Sequence, residues 1–267
     1  MTLELRSACS LAPGERAELF NASYEGYLVP FHVDEATLAF MDDAFGLDLD
    51  ASRIAFRDGD PVGLGNLGVR GEDAWIGGVG VVTGARRSGV GEALMRALHE
   101  QALERGVRRV WLEVIVENTG AFALYEKLGY RTVRDVEVWS VPPAADDSAA
   151  AREVPADKAH ARIRELGRER EPWQRADETL AYYEDARGLA TRDGAAVYRQ
   201  TGEHVQLVQL AGDSEPLLRA LRALGQVSIL NLPEDDAAAP VLRELGGSVI
   251  IRQHEMLLEL WRETAEH

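Results

Sequence analysis

Cysteine is almost missing from this chain: Cys9 is the single one among 267 residues. No internal disulfide can form, which fits a reducing compartment, and the cytoplasm is the expected location. Positive charge is also scarce. The 29 Lys and Arg stand against 45 Asp and Glu, a net charge of -16, and such a field repels nucleic acid backbones and anionic membrane surfaces. Neither is expected as a partner. No apolar run approaches the ~20 residues that would span a bilayer. The first residues place Glu4 where a secretory leader needs positive charge, and no apolar block follows, so a soluble protein is expected. Metal-ligand spacing is absent as well. His32, His99, His160, His204, His254 and His267 show none with one another or with Cys9, so no metal is expected. Nothing places a base beside Cys9, which is expected to be a small buried apolar residue rather than an acyl carrier.

What the chain does have is 46% hydrophobic residues, enough to build cores, at a length that suits two small domains. Residues 141–158 are rich in Ala, Pro and Asp without periodicity, and read as a linker between domains at 1–140 and 159–267. The acidity is even across this divide: 14 basic and 22 acidic residues precede position 146, and 15 and 23 follow, a net -8 on each side. Matches in the same order suggest one fold used twice. Residues 54–62 and 189–197 both read as two short strands joined by Asp-Gly, a hairpin signal. Leu128-Gly129-Tyr130 before a strand with Glu137 parallels Leu245-Gly246-Gly247 before a strand with Glu255.

In the first half the pattern predicts a strand over 3–8, helices over 14–23 and 34–44, the hairpin, and a strand over 74–82. A helix over 91–105 follows, with Leu94, Met95, Leu98 and Ala102 at helical spacing and Gly106 as its stop. A strand over 110–116 places Val110, Leu112, Val114 and Val116 on one face and Trp111, Glu113 and Ile115 on the other. The last helix, over 118–128, has Asn118 as N-cap and Gly129 as its left-handed stop.

Between the strand ending near Val82 and the helix beginning near Gly91 lies Thr83-Gly84-Ala85-Arg86-Arg87-Ser88-Gly89-Val90. Glycines at a helix start let a ligand approach backbone amides, where the helix dipole favours an anion. Arg86 and Arg87 add positive charge. The loop lacks the third glycine of a dinucleotide fingerprint and the Gly-Lys-Ser/Thr of a Walker loop.

Arg86-Arg87-Ser88-Gly89-Val90-Gly91 resembles the Gln/Arg-x-x-Gly-x-Gly/Ala loop of the GCN5-related N-acetyltransferases. Asn118, Ala121, Leu124, Tyr125, Gly129 and Tyr130 resemble that family's second signature, Asn-x-x-Ala-x-x-Leu-Tyr-x-x-x-Gly-Phe/Tyr. The likeness covers roughly residues 3–140. It implies two α/β domains of this family's type, each a mixed, mostly antiparallel sheet flanked by helices, the second shortened and degenerate. It implies acetyl-CoA as cosubstrate. Val81, Val82 and Thr83 would face the pantetheine arm, with an amide near Val81 polarising the thioester carbonyl. The segment Arg86, Arg87, Ser88, Gly89, Val90, Gly91 and Glu92 would hold the pyrophosphate, and Asn118 would touch the pantetheine. Thr83 departs from a common proline and Arg87 from a usual glycine; neither change removes a main-chain donor.

Acetyl transfer needs a neutral amine, a place for its proton, and a protonated thiol leaving group, with both substrates bound together. The resemblance points to Tyr125 as the acid and Glu113 as the base. Packing on an amphipathic helix and a solvated strand carboxylate are the alternative roles. Glu117, Glu25, Glu72 and Asp73 are weaker substitutes for the base. Residues 24–32, aromatic beside a carboxylate, would line an acceptor side suited to a cationic amine of a small molecule or peptide. The second half reads Ala211-Gly212-Asp213-Ser214-Glu215-Pro216 at the corresponding loop, and Asn231 precedes a helix that has Leu242 where Tyr125 stands in the first. A structural, substrate-shaping or dimerising role is expected for it, the last making a homodimer. The competing functions are a noncatalytic acyl-CoA sensor and a transferase of a larger acyl group.

Overall fold

The computed structural model describes residues 2–26, 32–145, 151–167 and 169–260. The chain divides into two compact units, residues 1–133 with 255–267, and residues 134–254. No helix among the described residues is long and apolar enough to cross a membrane.

The first unit opens with β1 (Leu3–Ser7), α1 (Pro13–Ser23) and α2 (Glu35–Ala44). Proline begins α1, where a missing N–H is harmless, and Glu15 reaches back to the Ala12 amide at 2.8 Å. The Asp34 carboxylate caps α2 through the Thr37 amide at 2.7 Å. Next come β2 (Arg53–Arg57) and β3 (Asp60–Arg70). Their Asp58-Gly59 turn has φ of 53° and 99°, the left-handed pair that matches the twist of a hairpin. Strand β4 (Asp73–Val81) is followed by α3 (Val90–Glu104), β5 (Arg109–Ile115) and α4 (Thr119–Lys127). β1 to β4 pair antiparallel in chain order, and β5 joins β4 in parallel. Leu67, Ala74, Ile76, Val110, Leu112 and Val114 face Met95, Leu98 and Ala102 of α3 in one core. Ile54, Phe56 and Leu64 face Ala17, Leu19, Phe20 and Leu38 of α1 and α2 in another.

The second unit starts inside β6 (Arg131–Val141) and continues with β7 (Arg152–Val154), α5 (Ala156–Leu166), α6 (Asp177–Leu180) and β8 (Arg187–Ala190). It is completed by β9 (Gly194–Thr201), β10 (His204–Gly212), α7 (Glu215–Leu224), β11 (Gln226–Pro233), α8 (Ala239–Glu244) and the beginning of β12 (Ser248–Glu259). Its strands run β6-β11-β10-β9-β8-β7. As in the first unit, an antiparallel hairpin, here β9–β10, is followed through a helix by a parallel neighbour, β11. Leu217, Leu218, Leu221 and Leu242 cover its sheet together with Trp139, Val205, Leu207 and Ile229.

Three expectations change on this description. The stretch 141–158 is not a bare linker: Val141 pairs with Val227 in the sheet, Arg152–Val154 pairs with β8, and α5 begins at Ala156. Its prolines punctuate these elements, Pro142 beyond β6 and Pro155 at the N-cap of α5. The boundary between units falls at 133/134, because the end of the chain returns to the first unit. There β12 neighbours β5, the Leu260 amide donates to the Arg108 carbonyl at 2.7 Å, and Met256 enters the core beside Leu112 and Val114. Cys9 is exposed rather than buried. It sits on a short turn where Ala8 takes the inward position, and its Sγ lies 3.4 Å from Asp50 Oδ1.

Candidate functional site

The site in the first unit is built on a departure from regular pairing. β4 and β5 are paired only at 73–75 with 109–111. Immediately beyond, β4 carries one extra residue against β3, because Leu67 pairs with Ile76 while Gly65 pairs with Val79. A bulge bends the strand that carries it, and here the strands part. Gly78, with φ of 125°, supplies a conformation that L side chains avoid. Glycines also let two rings lie on the strand. A Cβ at Gly77 would fall 2.3 Å from the Trp75 ring, and one at Gly78 would fall 2.5 Å from the Tyr24 hydroxyl.

The parted strands open into a groove of about 630 Å³, lined by Tyr24, Val79, Val81, Arg86, Gly89, Leu124 and neighbouring residues. At one end lies the start of α3. Gly89 is its N-cap with φ of 85°, Arg87 is left-handed at 59°, and no side chain caps the helix. Uncapped amides at a helix start, next to two arginines, make an anion site. Asn118 closes the other wall, its Oδ1 accepting the Ala121 amide at 3.2 Å as the cap of α4.

Of the residues expected to hold a cofactor, Val81, Arg86, Arg87, Gly89, Gly91, Glu92 and Asn118 line the groove. The Val82 amide is already bonded to the Val62 carbonyl at 3.0 Å, and Thr83 starts a short turn. Ser88 accepts from Arg57 at 2.7 Å and donates to the Ala85 carbonyl, while Val90 is buried with Ala55 and Leu94. Arg86 uses three of its five donors on backbone: Val81 O at 3.0 Å, Ser23 O at 3.1 Å and Glu25 O at 2.8 Å. It ties the end of α1 to the end of β4. The Glu92 carboxylate is held by Lys127 at 2.6 Å and Arg96 at 2.8 Å, and the Lys127 hydrogen bond, then that of Arg96, lowers its pKa. Both partners screen its charge from the anion site.

Glu113 lies on the opposite side of β5 from Leu112 and Val114, where its Oε2 accepts the Trp75 indole N–H at 2.8 Å. Trp75 is 5% exposed, with Phe45 set edge-on at 5.4 Å between centroids. Tyr125 is half-buried on α4 against the core that contains Leu112, Val114 and Tyr130, its ring 5.9 Å from that of Tyr130, and is not among the groove-lining residues. Tyr130 in turn meets His99 Nε2 at 2.8 Å. Burial, with the Arg96 charge second, lowers the His99 pKa to about 4. Of the weaker base candidates, Asp73 is bound by Arg109 and Trp111, Glu72 pairs with Arg108 at 3.2 Å, and Glu25 is exposed, whereas Glu117 lines the groove. Tyr24, expected on the acceptor side, also lines it, as does Leu124 of the second motif, while Ser23 lines it without having been expected there; glycines at 78 and 80 leave the room that the Tyr24 ring takes. Of the acceptor loop, 27–31 lies outside the described residues, as does His267. Among the described residues no three His, Cys, Asp or Glu side chains gather as a metal site.

A model of the acetyltransferase (GNAT) family matches residues 16–130, which span the groove and both motifs. The first unit carries a GNAT-family acetyltransferase domain. The GNAT domain is 39% identical over 59 residues to the [ribosomal protein bS18]-alanine N-acetyltransferase of Escherichia coli; this is 22% of the present chain and 40% of that protein. The chain therefore spans about two fifths of the length of the curated relatives it matches. Among solved structures, a GCN5-related N-acetyltransferase from Sphaerobacter thermophilus superposes with a TM-score of 0.75 at 17% identity, over 96% of this chain and 95% of that one. A tandem GNAT protein from the clavulanic acid biosynthesis pathway gives 0.64 at 14% identity, over 98% and 100%. Both likenesses are of fold, and they extend through the second unit.

The groove fits the cofactor of such a domain. It offers uncapped amides and Arg87 for a pyrophosphate at one end, and at the other an open strand edge for an amide-bearing arm.

Proposed function

We propose that the first unit transfers an acetyl group from acetyl-CoA to the primary amine of a small molecule or peptide, an amine that arrives as a cation. The observation that carries this reading is the uncapped, glycine-bent start of α3 at the mouth of the β4/β5 groove. Val81, Gly89, Gly91 and Asn118 would hold the CoA, which supplies the activated acyl group as a thioester.

The chain's own groups supply the proton handling. An ammonium is not a nucleophile, so a base must take its proton before attack. Glu113 would take this proton, and the hydrogen bond from the Trp75 indole to its Oε2 at 2.8 Å, which orients the carboxylate, supports the reading. The hydroxyl of Tyr125 would supply the proton that a departing sulfur requires, a role that rests on the motif in which Tyr125 stands and not on the groove lining. The excess of 16 negative charges and the aromatic rings of Tyr24 and Trp75 favour a cationic acceptor. The relative's printed substrate, a protein's alanine, places peptide N-termini in the screen beside polyamines, amino acids and aminoglycosides.

The test is thiol release from acetyl-CoA against that panel of amines, with propionyl- and succinyl-CoA as competing donors. Amine-dependent release with acetyl-CoA is expected. Binding of CoA without release by any amine would replace the transferase by an acyl-CoA sensor.

A further inference from the structure

The second unit repeats the geometry that opens the first unit's groove and then closes it from within. β10 and β11 pair in parallel only from His204 with Gln226 to Leu207 with Ile229. Directly after, β10 bulges by one residue at Val208, since Leu207 pairs with Tyr198 and Gln209 with Val197. This is the order seen in β4: a last parallel pair, a bulge, and a parting of strands.

In the second unit, however, the parted strands are bridged by Arg175, which is 1% exposed. Its Nε donates to the Val208 carbonyl at 2.8 Å and its Nη1 to the Asn231 carbonyl on β11 at 3.4 Å. The backbone of the same segment is held in return, as the side-chain Nε2 of Gln209 donates to the Arg175 carbonyl at 2.7 Å. Asn231, in the left-handed region at φ of 51°, donates to Gln174 at 3.2 Å and accepts from Gln253 at 2.6 Å. Thus the strand polar groups that a ligand's arm would meet already have partners from residues 174 and 175.

The neighbouring loop has also lost its means of holding an anion. Eight residues separate β4 from α3, but two separate β10 from α7. The Asp213 amide is taken by the Asp193 carbonyl at 3.0 Å, and Pro216 removes an N–H from the first turn of α7. The nearby cavity is lined by Glu169, Glu171, Asp235 and Asp236 against Arg134 and Arg170, an excess of negative charge.

We propose that residues 172–176 are an internal occupant of the second unit's cleft, standing where a ligand would lie, so that the chain takes up one CoA and not two. The count of one rests on the reading of the first groove given above. It is tested by calorimetric titration of the full chain with CoA and by hydrogen exchange with and without CoA. One equivalent is expected, with slowed exchange at 87–92 and none at 208–216. Gly91→Asp, which adds a carboxylate where a Cβ would stand 3.9 Å from its nearest neighbours, Leu124 and Val81, is expected to reduce one equivalent to none. Two equivalents, CoA retained by Gly91→Asp, or slowed exchange at 208–216 would overturn the proposal. No binding at all would refute the first groove's reading while leaving the second cleft closed as stated.

Discussion

Trp75 is the last residue of β4 to pair with β5, Glu113 stands two residues past the end of that pairing on β5, and an indole N–H joins them at 2.8 Å. A hydrogen bond to a charged group contributes about 1.5–3 kcal/mol, and it favours the ionised carboxylate. Trp75→Phe keeps a ring over Gly77 but removes the donor. We expect kcat/KM to fall about ten-fold, which corresponds to about 1.4 kcal/mol, near the lower end of that range, with CoA affinity unchanged. The acid limb of the pH profile should move to higher pH, since the base must be ionised and has lost a group that stabilises that form. Identical profiles for the two proteins would remove Trp75 from the mechanism.

Tyr125→Phe separates proton donation from packing. The ring contact with Tyr130, at 5.9 Å, survives the loss of the hydroxyl, so the fold and the CoA dissociation constant should hold. Turnover should fall by about 10²-fold, the low end of what a positioned acid contributes. Unchanged kcat would leave Tyr125 as a packing residue of α4.

His99 makes the first unit sensitive to acid independently of catalysis. Its pKa is lowered to about 4 by burial beside Tyr130, whereas in the unfolded chain it is about 6.5. The unfolded state therefore binds more protons between these values, and stability is lost as pH falls from 6.5 toward 4. The full span is worth about 3 kcal/mol. Thermal unfolding of His99→Gln should show a shallower fall in Tm over that window than the wild type. Parallel curves would mean that other groups carry the acid sensitivity.

How far the sequence speaks depends on the range of the interaction. The helix from 90 to 104, the Asp58-Gly59 turn and the Asn118 cap are local, and 3.6-residue spacing, left-handed turn residues and capping side chains are legible in a single segment. The loop around Gly89 was legible for the same reason. Partners distant in sequence were not: Trp75 with Glu113, Lys127 with Glu92, and Arg86 with the carbonyls of Ser23 and Glu25 meet only when strands and helices are placed. The return of 255–260 to the first sheet was also invisible, since an alternating strand at a chain end does not state its neighbour. Residues 141–158 misled because three-residue β7 is too short to show a period.

Arg86 distinguishes a tether from a ligand-binding cation. As a cation for pyrophosphate it would be replaced well by lysine, which is a common phosphate binder. As a tether it would not, because a single ammonium on a flexible stem cannot reproduce a planar fork reaching Val81, Ser23 and Glu25 at once. The geometry favours the tether, and loss of it frees the end of α1 that carries Tyr24 into the groove wall. Arg86→Lys and Arg86→Ala should then weaken CoA binding alike, by about ten-fold for the loss of roughly 1.4 kcal/mol of hydrogen bonding to the groove wall. Calorimetry at two salt concentrations decides the matter. Equal affinities for the two variants, with salt dependence like that of the wild type, fit the tether, whereas wild-type affinity in Arg86→Lys would assign the guanidinium to the ligand.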